Sequence, residues 1–169
     1  MFTLFDLKKS VPLTAEELRH LLSALRRFAA TDFGRWLAPL LEPSEPAFFW
    51  NEAMKDGPVM GCFTPLHPRA VFLKPHTQYT DAPEKHGRAF WCEMIFPTVV
   101  HELRHMWQFR RHPCRYVLCA LPGLRQFTLE RDAKAVEDDA QRFADNWRNT
   151  MDRAEFVAAY GRPPEGEEK

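Results

Sequence analysis

Pro97-Thr98-Val99-Val100-His101-Glu102-Leu103-Arg104-His105-Met106-Trp107-Gln108 is the stretch around which the chain is organised. No glycine or further proline interrupts it, and Pro97 suits a first helical turn, where its missing N–H costs nothing. Val99, Leu103 and Met106 form one apolar row at helical spacing, and Val100, Leu103 and Trp107 form a second. A helix here can therefore be buried on one side and show His101 and His105 on another. Those two lie one turn apart, with Cβ atoms about 5–6 Å from each other. Two imidazoles at that spacing reach one zinc ion, each nitrogen at about 2.0–2.1 Å. A carboxylate just past the first histidine, Glu102, is placed to take a proton from water held by such an ion. This is the logic of H-E-x-x-H.

The rest of the chain is large enough to support such a site. Its 169 residues suffice for one domain with a real core and are too few for two ordinary ones. The hydrophobic fraction of 45% and aromatic fraction of 13% fit a globular protein. Twenty-three basic and 23 acidic residues cancel, so no global charge argues for nucleic acid or an anionic membrane. No apolar run is long enough to span a bilayer. Met1 to Lys9 lacks the basic start and long apolar core of a signal peptide. Cys62, Cys92, Cys114 and Cys119 show no C-x-x-C spacing and read as reduced thiols. The expectation is a cytoplasmic protein.

Upstream, residues 1–13 read as a lead-in. Thr14-Ala15-Glu16-Glu17 is a capping box that opens a helix, and Leu18, Leu21, Leu22, Leu25, Phe28 and Ala29 continue it. Trp36, Leu37, Leu40 and Leu41 suggest a short second piece, limited by Pro39. From Pro43 the texture changes. Ala47 to Trp50, Val59 to Phe63 and Ala70 to Leu73 read as short strands, with Asp56-Gly57-Pro58 as a turn between the first two. A sheet of three or four strands should therefore precede the motif helix. Residues 76–89 read as a loop well placed to border a cleft; His76, Tyr79 and His86 are read first as ordinary loop residues, with contact to a substrate as the alternative.

Downstream, Arg110-Arg111-His112-Pro113 is a basic stop, and Tyr116 to Leu121 is apolar enough for a short buried helix ended by Pro122-Gly123. Leu129, Ala133, Val136, Ala140, Phe143, Trp147 and Met151 then make one long helical stripe. Residues 161–169 have nothing to bury and are expected to be a mobile tail behind a single domain at 1–160.

Two histidines do not complete a catalytic zinc site; three protein ligands and a water do. In H-E-x-x-H-x-x-G-x-x-H, a glycine lets the chain turn back to a third histidine. Here those positions hold Gln108 and Arg111, with His112 one place off. A carboxylate on a second helix is the other solution. The long stripe offers two, Glu130 and Glu137, on the same edge and each followed three residues later by a small alanine. Glu130 is preferred because it lies near the helix start, with Glu137 as the alternative.

With these motifs in place, the chain resembles the short gluzincins, peptidases built on the minimal core of thermolysin-like enzymes, with compact members in bacteria, phages and mobile elements. The resemblance covers roughly residues 14–151 in the order helix, small sheet, H-E-x-x-H helix, Glu-bearing helix. It implies an α+β zincin fold, a Zn²⁺ cofactor, Glu102 as general base, and a peptide or protein substrate aligned along an edge strand. His101, Glu102, His105 and one downstream glutamate carry over by motif; the doubled Glu-x-x-Ala leaves the third ligand open. The expected activity is zinc-dependent peptide-bond hydrolysis. Tyr79, His112 and Tyr116 are candidates for stabilising the oxyanion. The other reading is a zincin-like domain that binds metal or a partner without turnover.

Overall fold

A computed structural model describes residues 7–55, 59–75, 91–120, 130–150, 152, 155 and 156, without the side chains of Leu7, Trp91, Glu130 and Arg148. The first helix, α1 (Ala15–Ala29), starts where its capping box places it. The Glu17 N–H donates to Thr14 Oγ1 at 3.2 Å, and the Thr14 N–H donates to Glu17 Oε2 at 2.9 Å. Two of the N–H groups that a helix start leaves free are thereby satisfied. Its apolar side buries Leu21, Leu22, Leu25 and Phe28. A 3₁₀ turn (Arg35–Leu37) leads into α2 (Ala38–Leu41), which carries Pro39 in its first turn, where proline is tolerated.

The chain then builds a four-stranded mixed sheet from β1 (Ser10–Pro12), β2 (Ala47–Asn51), β3 (Gly61–Phe63) and β4 (Ala70–Leu73), in the order β1-β2-β4-β3. β1 pairs antiparallel with β2, β2 parallel with β4, and β3 antiparallel with β4. The fourth strand comes from the segment that read as a lead-in. Side-chain alternation divides the sheet into two faces. Phe48, Phe63, Val71 and Leu73 join the main core, while Cys62, Ala70 and Phe72 form a second cluster with Met54 on the other face.

A π-helical turn (Trp91–Ile95) precedes α3 (Phe96–Arg111), the motif helix. Its apolar rows are buried as their spacing requires: Val99, Val100, Leu103 and Met106 are fully enclosed. After His112 the chain enters α4 (Pro113–Ala120), and later α5 (Glu130–Thr150). α5 packs along α3, burying Ala140, Phe143, Ala144 and Trp147, and the rings of Phe96, Trp147 and Phe156 meet at 5.0–5.4 Å. α3 thus lies between the sheet, α4 and α5, with β3 running beside it as a sheet edge.

Among the described residues the architecture is α+β, with five α-helices and the small sheet. No helix among the described residues is long and apolar enough to cross a membrane. None of the four cysteines is in a disulfide. The loop at 76–89, the Asp56-Gly57-Pro58 turn, the Pro122-Gly123 break and the tail at 161–169 lie outside the described residues.

Candidate metal centre

The packing of α5 on α3 brings one carboxylate to the histidine pair. Glu137 Oε1 is 3.0 Å from His101 Nε2, and Glu137 Oε2 is 3.3 Å from His105 Nε2. The two Nε2 atoms are 3.0 Å apart. Donor atoms on a tetrahedron of radius ~2.1 Å stand about 3.4 Å from one another. With one donor atom taken from each, His101, His105 and Glu137 offer three ligand atoms within 4.8 Å of one another, a group that can hold a metal ion. Two imidazoles and a carboxylate suit zinc and other borderline divalent ions.

Glu137 leads the site as the described geometry stands, although the sequence put Glu130 first. Glu130 opens α5, two turns or about 10 Å along the axis from Glu137. Its side chain lies outside the described residues.

Glu102 is 7% exposed, and its Oε2 accepts the Phe63 N–H at 2.7 Å. Burial raises its carboxyl above the usual range, outweighing the pull of His105, His101 and the Phe63 amide. The neighbouring strand is shaped around it. A Cβ on Gly61 would stand 2.6 Å from Thr98 Cγ2 and 2.9 Å from Glu102 Cγ, so only glycine fits without displacing them. For His105, burial favours the neutral ring, yet hydrogen bonding to Glu137 and the charge of Glu102 raise its pKa overall. Glu137 is held well below the usual carboxylate range by hydrogen bonds from His101 and His105.

A cleft of about 210 Å³ opens on these side chains, walled by Phe63, Tyr116, Cys119, Ala120 and Val136. A second hollow of about 380 Å³, bordered by Met60, Thr98 and Gln141, meets it at His101, Glu102 and Glu137. Of the two oxyanion candidates among the described residues, Tyr116 lines the cleft, its ring centroid 5.7 Å from that of His105. Burial, with the charge of Glu102, pushes its phenol pKa up, so it stays a hydroxyl donor. Burial pushes the Cys62 thiol up to about 12. His112 caps the end of α3 and borders a separate hollow with Gln108 and Arg115. Tyr79, His76 and His86 lie outside the described residues.

Three polar residues behind the histidines had no motif to announce them. Gln108 bonds His105, Val136 and Asp139. Arg104 donates from Nε to Asp139 Oδ2 at 2.7 Å. Burial alone would raise the Asp139 carboxyl; the bonds from Arg104 and Gln108 outweigh it and hold it low. The one sequence signal for this group is the spacing of Arg104 and Gln108, one turn apart on the motif helix. Comparison of the chain with models of known families, with curated proteins and with solved structures finds no match.

Proposed function

We propose that the chain is a zinc-dependent peptidase of minimal zincin architecture, with His101, His105 and Glu137 as ligands and Glu102 as general base. The observation that carries this reading is the convergence of three donor atoms of the right kinds beside a buried carboxylate. Zinc bound there supplies Lewis acidity toward a carbonyl oxygen and toward water. Glu102 takes a proton from the attacking water and passes it to the leaving amine. Tyr116 stands at the cleft as a neutral donor for the oxygen on which charge develops.

The open edge of β3 supports a peptide as substrate. Among the described residues β3 pairs with β4 alone, and its Phe63 N–H turns to the other side, where Glu102 accepts it. By the alternation of an antiparallel ladder, the backbone of Gly61 faces that same open side. An extended peptide can add there as a further strand, with its carbonyl carried toward Glu102 and Tyr116.

The test is metal content per chain together with a peptide-cleavage screen on the same sample. One zinc per chain and cleavage that Glu102→Gln abolishes are expected. Absence of stoichiometric zinc after reconstitution overturns the metal centre. Zinc without cleavage leaves the other reading, a metal-binding domain without turnover.

A further inference from the structure

Gln108 stands where H-E-x-x-H-x-x-G-x-x-H would place its turning glycine. Here α3 continues to Arg111, so position 108 carries a side chain on the helix face that meets α5. That side chain makes three contacts of equal length. Gln108 Oε1 is 2.9 Å from His105 Nδ1, and Gln108 Nε2 is 2.9 Å from both the Val136 carbonyl oxygen and Asp139 Oδ2.

These partners leave no freedom in how the amide points. A backbone carbonyl and an ionised carboxylate only accept, so the side facing them must be the NH₂. The flipped amide would set its oxygen against two oxygens. Gln108 Oε1 therefore faces His105, and His105 Nδ1 must carry the hydrogen. In the neutral ring, the form that binds a metal, the lone pair is then on Nε2, the atom that faces His101 and Glu137. The two acceptors on α5 bracket Glu137: Val136 precedes it and Asp139 follows two places on. Asp139 is itself held by Arg104. The Arg104 guanidinium lies against the rings of Trp107, Phe143 and Trp36 at 3.9, 4.1 and 5.0 Å from their centroids.

We propose that Gln108 is a positioning residue that sets two metal ligands at once. Its amide oxygen selects the His105 tautomer that presents Nε2, and its NH₂ holds the Val136–Asp139 turn of α5 so that Glu137 meets the histidines. The inference rests on the reading of His101, His105 and Glu137 as a metal centre. The Arg104–Asp139 pair in its aromatic box is the fixed point to which the amide is tied.

The experiment uses the full chain, zinc-loaded and ¹⁵N-labelled. Long-range imidazole spectra report the tautomer, and competition with a chromophoric chelator reports zinc affinity. In the wild type, His105 Nδ1 is expected to be protonated. Gln108→Leu should weaken zinc binding ~10–100-fold, the range typical when a ligand's own hydrogen-bond partner is lost. Gln108→Glu keeps an acceptor for the Nδ1 hydrogen but sets a carboxylate against Asp139 and the Val136 carbonyl. It should keep the tautomer and still lose zinc affinity, which separates the two roles. A purely structural role would lower thermal stability in both variants while leaving zinc affinity at the wild-type value, and that result overturns the proposal. An unprotonated His105 Nδ1 in the wild type overturns it too, even if Gln108→Leu fails to fold. A wild-type chain that binds no zinc overturns the metal centre itself, a result distinct from both.

Discussion

At the scale of single residues, the centre combines groups whose protonation is pushed in opposite directions. Glu137 is held ionised by His101 and His105, while burial favours the neutral form of Glu102. The second effect has a sign that can be checked in chelator-treated protein. With its folded pKa raised, the native state holds a proton on Glu102 that the unfolded chain releases near pH ~4.3. The stability contributed by the neutral acid is fully present below that value and is lost as pH rises through the folded pKa. Glu102→Gln removes this loss, and its amide oxygen can still accept the Phe63 N–H. Metal-free Glu102→Gln should therefore match the wild type near pH 4 and exceed it at pH 7 in thermal unfolding; a variant less stable at pH 7 contradicts this account. The two glutamates of α5 separate in the same way. Glu137→Ala should lose zinc under mild chelation, and Glu130→Ala should retain it, with circular dichroism showing both helices intact because alanine is the stronger helix former. Zinc lost from Glu130→Ala and kept by Glu137→Ala would reverse the assignment and preserve the two-helix site.

At the scale of elements, the decisive contact is between the edge strand β3 and α3. The strand's backbone takes hold of Glu102 through the Phe63 N–H, and Gly61 supplies the close approach that brings strand and helix together. A methyl group at Gly61 falls 3.1 Å from Glu102 Oε1 as well as against its Cγ, so the carboxylate must swing away or the strand must lift. Neither movement touches His101, His105 or Glu137. Gly61→Ala is thus expected to keep its zinc and lose ~10–100-fold in turnover, the scale on which a misplaced catalytic group acts. Full activity in that variant would show that the strand yields and that Glu102 does not depend on it.

At the scale of the molecule, the proposed ligands come from two helices far apart in sequence, so only the folded chain brings them together. Zinc should therefore stabilise the fold by mass action, by about 2.7 kcal/mol at free zinc one hundred times the dissociation constant. For a domain of this size that corresponds to a rise of roughly 5–10 °C in unfolding temperature. His105→Ala should melt at the same temperature with and without zinc. A zinc-dependent rise persisting in His105→Ala would place the ion elsewhere.

Several parts of this molecule are written in local pattern. The Thr14–Glu17 box starts α1 because its hydrogen bonds close within one turn, and the rows Val99, Leu103, Met106 and Val136, Ala140, Phe143, Trp147 declare helices because burial on one side follows the helical period. His101, Glu102 and His105 were legible for the same reason, being one turn of one helix. β1 was not: Ser10-Val11-Pro12 has too few residues to show alternation, and it is a strand because β2 is there to pair with it. The third donor could not be chosen from sequence either, since Glu130 and Glu137 share one edge of one helix. Which of them meets the histidines depends on how far α5 slides along α3. Contacts between residues distant in sequence decide that slide: Gln108 reaching Val136 and Asp139, Arg104 seated among Trp36, Trp107 and Phe143, and Phe96 packed on Trp147. The sequence by itself determined the two helices and the His101–His105 spacing; the docking of one on the other, settled by side-chain packing and hydrogen bonds across their interface, decided that Glu137 lies against that pair.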